Sequence, residues 1–171
     1  DRQQAWAYFR QADPDFLPIA FPCSPWSRLQ LLNQRTTQQK RCLQQTRQEH
    51  RKLPQFVEEV AQWQKRRRRA CFGENPASAL SWEEPAIKRA FEGDADVITH
   101  HCMWEKRRPD TEQLIKKPTR FRGTQAVCGA VNIECDGGHP HGLVMGSMKL
   151  EDGSRESVTA WAGGYSKPLA T

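Results

Sequence analysis

No stretch of about 18 apolar residues occurs in the chain, which excludes a membrane-spanning helix. No charged-then-apolar leader opens it, so a secretory signal is not expected and an intracellular setting is. The first residue is Asp1 rather than Met, as expected of a piece cut from something longer. Neither a Cys-x-x-Cys pair nor a His-Glu-x-x-His segment is present, which removes the usual zinc-ribbon, thioredoxin-type and zinc-hydrolase signatures. There is no internal repeat, so a solenoid is excluded. Hydrophobic residues are 37% of the 171, enough for one modest core.

What is present is unevenly charged. The net charge is +6, but residues 1–70 hold 14 Lys/Arg against 6 Asp/Glu, while residues 71–171 hold 12 against 14. A basic half suits an anionic partner, nucleic acid first, and is equally what a solvated helix face looks like. The run Lys65–Arg69 carries the same ambiguity: phosphate contact, nuclear localisation signal or solvated loop. The six cysteines (Cys23, Cys42, Cys71, Cys102, Cys128 and Cys135) are too dispersed for a disulfide scaffold. In a reducing compartment such thiols are buried, catalytic or metal-bound.

Residues 1–12 read as a short helix with Trp6 and Phe9 on one side, broken by Asp13-Pro14. Phe16–Phe21 is a short apolar run bounded by breakers, hence a buried strand, and it ends in a Pro-rich loop carrying Cys23. A long, Gln- and Arg-rich helix is expected over 36–64, with Pro54 as a kink or restart; the composition also fits a partly disordered stretch. Residues 70–73 read as a second strand running into Glu74-Asn75-Pro76. Ser81 and Glu84 form a capping-box pattern for a helix that stops at Gly93. Residues 97–104 and 118–124 read as further strands, with a charged loop or hairpin arm between them. The Gly-rich remainder is expected to be weakly ordered. Alternating strands and helices argue for an α/β fold with a mainly parallel sheet, and ligands of such sheets sit at the carboxyl ends of the strands.

Cys23 and Glu74 both fall at such ends. A thiolate nucleophile beside a carboxyl proton donor suits covalent attack on an electron-poor ring, with a proton delivered to a ring nitrogen. At these residues the chain resembles the DNA cytosine-5 methyltransferases. DFLPIAFPCSPWS (15–27) is similar to their nucleophile motif, Glu74-Asn75-Pro76 to their Glu-Asn-Val segment, and KKPTRF (116–121) to their basic segment. The order of PC, ENPASALSW, HCMWE, KKPTRF and CDGGHPH resembles methyltransferase-like chains of retrotransposon polyproteins and some phage genomes, over roughly residues 13–146.

The resemblance implies the C-terminal part of a Rossmann-like methyltransferase sheet with flanking helices over 1–125, followed by a Cys/His- and Gly-rich loop region over 126–171. It implies that Cys23 attacks C6 of cytosine in DNA, that Glu74 contacts N3, and that Arg120, before Lys117, contacts the base oxygen, with S-adenosylmethionine as methyl donor. The sequence departs from the pattern where Phe21 replaces the first proline of Pro-Pro-Cys. No Gly-rich cofactor loop precedes Asp15, and no target-recognition region is visible. The rival readings are a non-enzymatic nucleic-acid-binding module, or a zinc-stabilised one, within a mobile-element polyprotein.

Cys135, His139 and His141 lie within seven residues, and Cys102 lies upstream beside His100 and His101. Four Cys/His ligands make a structural zinc tetrahedron, and His-x-His in an extended segment presents both rings on one side. The spacing is not that of a standard finger. The four residues are the expected metal set, with an ordinary polar loop as the alternative.

Overall fold

A mixed four-stranded sheet in the order β1-β2-β4-β3 organises the chain in the computed structural model, which describes residues 2–32, 34–150, 152–166 and 169. The strands are β1 (Phe16–Ala20), β2 (Ala70–Pro76), β3 (Ala95–His100) and β4 (Pro118–Gly123). β1 and β2 are parallel, and β4 runs antiparallel between β2 and β3. The fold is therefore α/β with a mixed sheet. Because β3 points the same way as β1 and β2, the carboxyl ends of these three strands and the start of β4 share one edge.

The first segment expected to be helical is α1 (Arg2–Ala12). It is held to the later helix α4 (Lys52–Arg66) by edge-on rings, Trp6 lying 5.8 Å from Phe56 and 5.7 Å from Trp63. The long helix expected over 36–64 is two helices, α3 (Thr37–His50) and α4, after a single turn α2 (Leu29–Leu32). Thr36 caps α3 with Gln39 in a reciprocal box. Pro54 marks a restart rather than a kink, because it sits in the first turn of α4, where no intrahelical N–H is required.

α4 and the short α5 (Pro85–Ala90) pack on one face of the sheet. They enclose Val57, Ala61, Cys71, Trp82, Ile87 and Phe91, and each fully buried aliphatic such as Ile87 contributes about 1.5–3 kcal/mol. Ser81 does not cap α5. Residues Leu80–Glu83 form a 3-10 turn, the Ser81 hydroxyl is buried without a partner, and Glu84 precedes Pro85 at the helix start. Gly93 lies at φ +74°, as a helix stop requires.

The Lys65–Arg69 run is largely consumed by structure. Lys65 pairs with Asp94 at 2.7 Å, Arg67 with Asp13, and Arg69 with Asp13 at 2.8 Å. The two Asp13 pairs tie the end of α4 to the approach to β1, and the Lys65 pair ties it to the approach to β3. Arg68 takes a left-handed φ of +56°, which lets Arg69 N–H close back onto Gln64 O at 3.0 Å.

The other sheet face carries Phe16, Phe72 and Phe121, covered in part by α6 (Gln125–Ala130). An aromatic cleft of about 480 Å³ remains there, bounded by Trp104, Val127 and Tyr165. β3 covers Ala95–His100 and stops four residues short of the strand end expected at Trp104, because His101–Trp104 is a 3-10 turn. The tail is not weakly ordered throughout. β5 (Ser147–Lys149) and β6 (Arg155–Ser157) form a hairpin, and α7 (Val158–Trp161) follows with Val158 buried.

Candidate functional site

The parallel register pairs Ala20 with Glu74, so the loop leaving β1 emerges beside the carboxyl end of β2. That loop is fixed at three points. The fully buried Asn75 donates its amide to Phe21 O at 2.9 Å. The Trp26 indole donates to Glu84 at 2.7 Å, and Arg47 donates to Pro25 O at 2.8 Å. Cys23 sits half-buried between these anchors, and its carbonyl accepts from Trp26 N–H at 2.9 Å.

Glu74 alternates with Asn75 along β2. Asn75 points into the α4/α5 core, and Glu74 faces the aromatic side with Phe72. Burial raises the Glu74 carboxyl above its ordinary value, opposed by a hydrogen bond from Tyr165 and by the Lys117 charge. Burial likewise lowers the Lys117 ammonium, opposed by Glu74 and Cys23. Lys117 therefore feels both groups, and it also donates to Ala162 O at 2.9 Å. The fully buried His101 faces Thr119 Oγ1 at 3.0 Å through Nε2, while its Nδ1 is without a partner. Burial, with Lys117 and Lys106 nearby, pushes that imidazole down to about 3, so it is neutral at physiological pH. Tyr165 has 40% of its surface exposed but directs its hydroxyl onto Glu74, with its ring 6.1 Å from that of His101.

Arg120 is not brought to this group. It pairs in register with Asn75, on the opposite sheet face, and binds Asp96 at 2.8 Å, as Arg122 does. Lys117 shares the Glu74 face with Thr119 and Phe121. The sequence pointed to Arg120 ahead of Lys117, and it gave no role to Tyr165 or His101. The available signal was strand parity: Lys117 and Arg120 are three residues apart and cannot share a face of an extended strand.

Cys102, Cys135, His139 and His141 do come together. Their donor atoms all lie within 4.8 Å of one another, and the group could hold a metal ion. Cys135 Sγ is 3.8 Å from His139 Nε2 and 3.4 Å from His141 Nε2, close to the ~3.5 Å edge of a tetrahedron with Zn–S and Zn–N bonds of ordinary length. The Cys102 thiol is pushed up to about 11 by burial and by the neighbouring Cys135. A divalent cation would reverse that shift, because a coordinating thiol is deprotonated. Gly137, at φ +84°, turns the loop so that its N–H donates to Cys135 Sγ at 3.3 Å. Cys135 N–H donates to His100 Nδ1 at 3.1 Å, and Thr99 Oγ1 donates to Ile133 O at 3.1 Å, stitching the loop to the end of β3.

Because folding raises the Glu74 pKa, folding favours the neutral acid. Its contribution to stability is greatest below the ordinary carboxylate range and is lost as pH rises through the raised value. Glu74→Gln should therefore melt at a higher temperature than the wild type at pH 7.5 and lose that advantage by pH 4. Thermal melts across this range check it, and a variant less stable at pH 7.5 would contradict the burial argument. Among known proteins, no family model, curated protein or solved structure matches the chain.

Proposed function

We propose that the chain carries out the opening covalent step on a cytosine of DNA, as in the cytosine-5 methyltransferases it resembles, on a sheet taken as the C-terminal part of a Rossmann-like one. The observation that carries this is the parallel register that sets Ala20 beside Glu74, so that the Cys23 loop leaves β1 next to the carboxyl end of β2, with Lys117, just ahead of β4, on the same edge. The Cys23 thiolate adds to C6, the C5–C6 double bond is consumed, and its electrons pass through the ring to N3. Glu74, raised toward its protonated form, supplies the proton to N3. Lys117 stabilises the thiolate before attack and the carboxylate after it. The base must leave its stack to reach these groups.

S-adenosylmethionine does not fit the cleft beside β1. The cleft of about 260 Å³ flanking β1 is lined by Phe9, Ile19, Phe56 and Val57, with no carboxylate for ribose hydroxyls and no glycine-rich turn. No methyl-transfer step is assigned to them.

Zinc is the ion proposed for Cys102, Cys135, His139 and His141, since two thiolates and two imidazoles with no open position describe a structural site. One observation favours a second reading, a zinc-stabilised module without chemistry: Tyr165 already occupies Glu74.

Two measurements separate these readings. DNA carrying 5-azacytosine should form an adduct with the chain that intact-mass analysis detects. The adduct should vanish with Cys23→Ala and fall at least tenfold with Glu74→Gln, whereas no adduct in the wild type would leave the second reading. Native mass spectrometry should find one zinc per chain, with chelation lowering the melting temperature. His100→Ala should weaken zinc roughly 10–100-fold by freeing Cys135 N–H. A chain that holds no zinc and melts unchanged after chelation would overturn the zinc assignment.

A further inference from the structure

The positive charge of the chain has an address. Residues 28–52 contain seven Lys/Arg against Glu49 alone, a balance of +6 that equals the net charge of all 171 residues. They also contain seven glutamines. Among the described residues none of these seven cations joins an ion pair, in contrast to the Lys65–Arg69 run. α3 buries no residue. Its half-buried positions, Leu43, Thr46, Arg47 and His50, lie on one side, toward the Cys23 loop. Arg41, Gln44, Gln48 and Arg51 recur at helical spacing on the other side, in solvent.

We propose that α3, with the segment leading into it, is a docking arm for duplex DNA that lies in the major groove. Fourteen residues make a helix about 21 Å long and 10–12 Å wide, which the ~12 Å major groove of B-form DNA admits. The deep, narrow groove of duplex RNA does not admit it. Unpaired Arg and Lys meet the phosphates, and glutamine amides match the donor and acceptor edges of bases. An anionic membrane surface fits α3 itself less well, because its outer stripe carries no apolar residue to insert; the exposed Leu29, Leu31 and Leu32 lie in the turn before it, and the vesicle comparison below tests them. The arm is joined to the proposed chemistry through Arg47, which donates to Pro25 O, and through a cleft of about 540 Å³ shared by Ser24, Pro25, Gln38 and Cys42. The inference rests on the nucleophile reading only in placing a base at Cys23; binding is read separately.

The test is fluorescence anisotropy with a labelled 20-base-pair duplex over a potassium chloride series. A variant with Arg35, Lys40 and Arg41 changed to Gln is compared with a control of equal charge, in which Lys88, Lys149 and Arg155 are changed to Gln. All three arm positions are exposed, so circular dichroism should be unchanged. The arm variant should weaken binding roughly tenfold or more at 0.1 M salt and reduce the salt slope by about 2–3, with the control close to wild type. Equal losses in both variants, no loss in the arm variant, or equally tight wild-type binding to phosphatidylserine vesicles would each overturn the proposal. Cys23→Ala should bind as the wild type does. Arm-dependent binding without any 5-azacytosine adduct would sink the covalent reading and keep this one.

Discussion

The parallel pairing of β1 with β2 is the constraint on which the rest of the site depends. Its register sets Ala20 against Glu74 and so fixes where the Cys23 loop must emerge. A parallel pair cannot be closed by a short turn, so α2, α3 and α4 all lie in the crossover. The Asn75–Phe21 hydrogen bond then holds the loop to β2 from inside the core. An Asn75 truncation would leave a buried carbonyl unpaired as well as freeing the loop.

Strand alternation does the remaining sorting. Residues of β1 and β2 that point one way build the core with α4 and α5, and Arg120 and Arg122 of β4 lie on that face. Strand residues that point the other way gather Glu74, Thr119 and the approach of Lys117 under the C-terminal segment. Burial works against both charged forms there, raising the acid and lowering the amine. Opposed shifts on adjacent groups characterise sites tuned for proton transfer, although structural ion pairs share the trait. The C-terminal cover is part of this electrostatic arrangement, through Tyr165 on Glu74, Ala162 O on Lys117 and the Trp161 ring 4.1 Å from Lys106.

Much of this was legible in the residues. The short apolar runs at 16–21 and 70–73 became β1 and β2, the further strands expected at 97–104 and 118–124 became β3 and β4, and the four metal-type ligands came together as a set. Sheet order was not legible: alternating strands and helices do not reveal that β4 inserts antiparallel between β2 and β3. Without that register, Arg120 and Lys117 could not be assigned to faces. The Ser81 box failed because Pro85 and the buried Trp82 favour a 3-10 turn ahead of the helix. Tyr165 lies 91 positions from Glu74 in the sequence, a contact that no local pattern announces.

The claim that Cys23 and Glu74 form one reacting site is tested most directly by hydrogen exchange at cytosine C5. Addition of the thiol to C6 makes C5 basic, so solvent deuterium should enter there and remain after elimination restores the ring. Incubation of the chain with DNA in heavy water, followed by mass analysis of the released cytosine, should show deuterium at C5 for the wild type and none for Cys23→Ala. Deuterium uptake that survives loss of Cys23, or its absence in a wild-type chain that binds the DNA, would contradict the account.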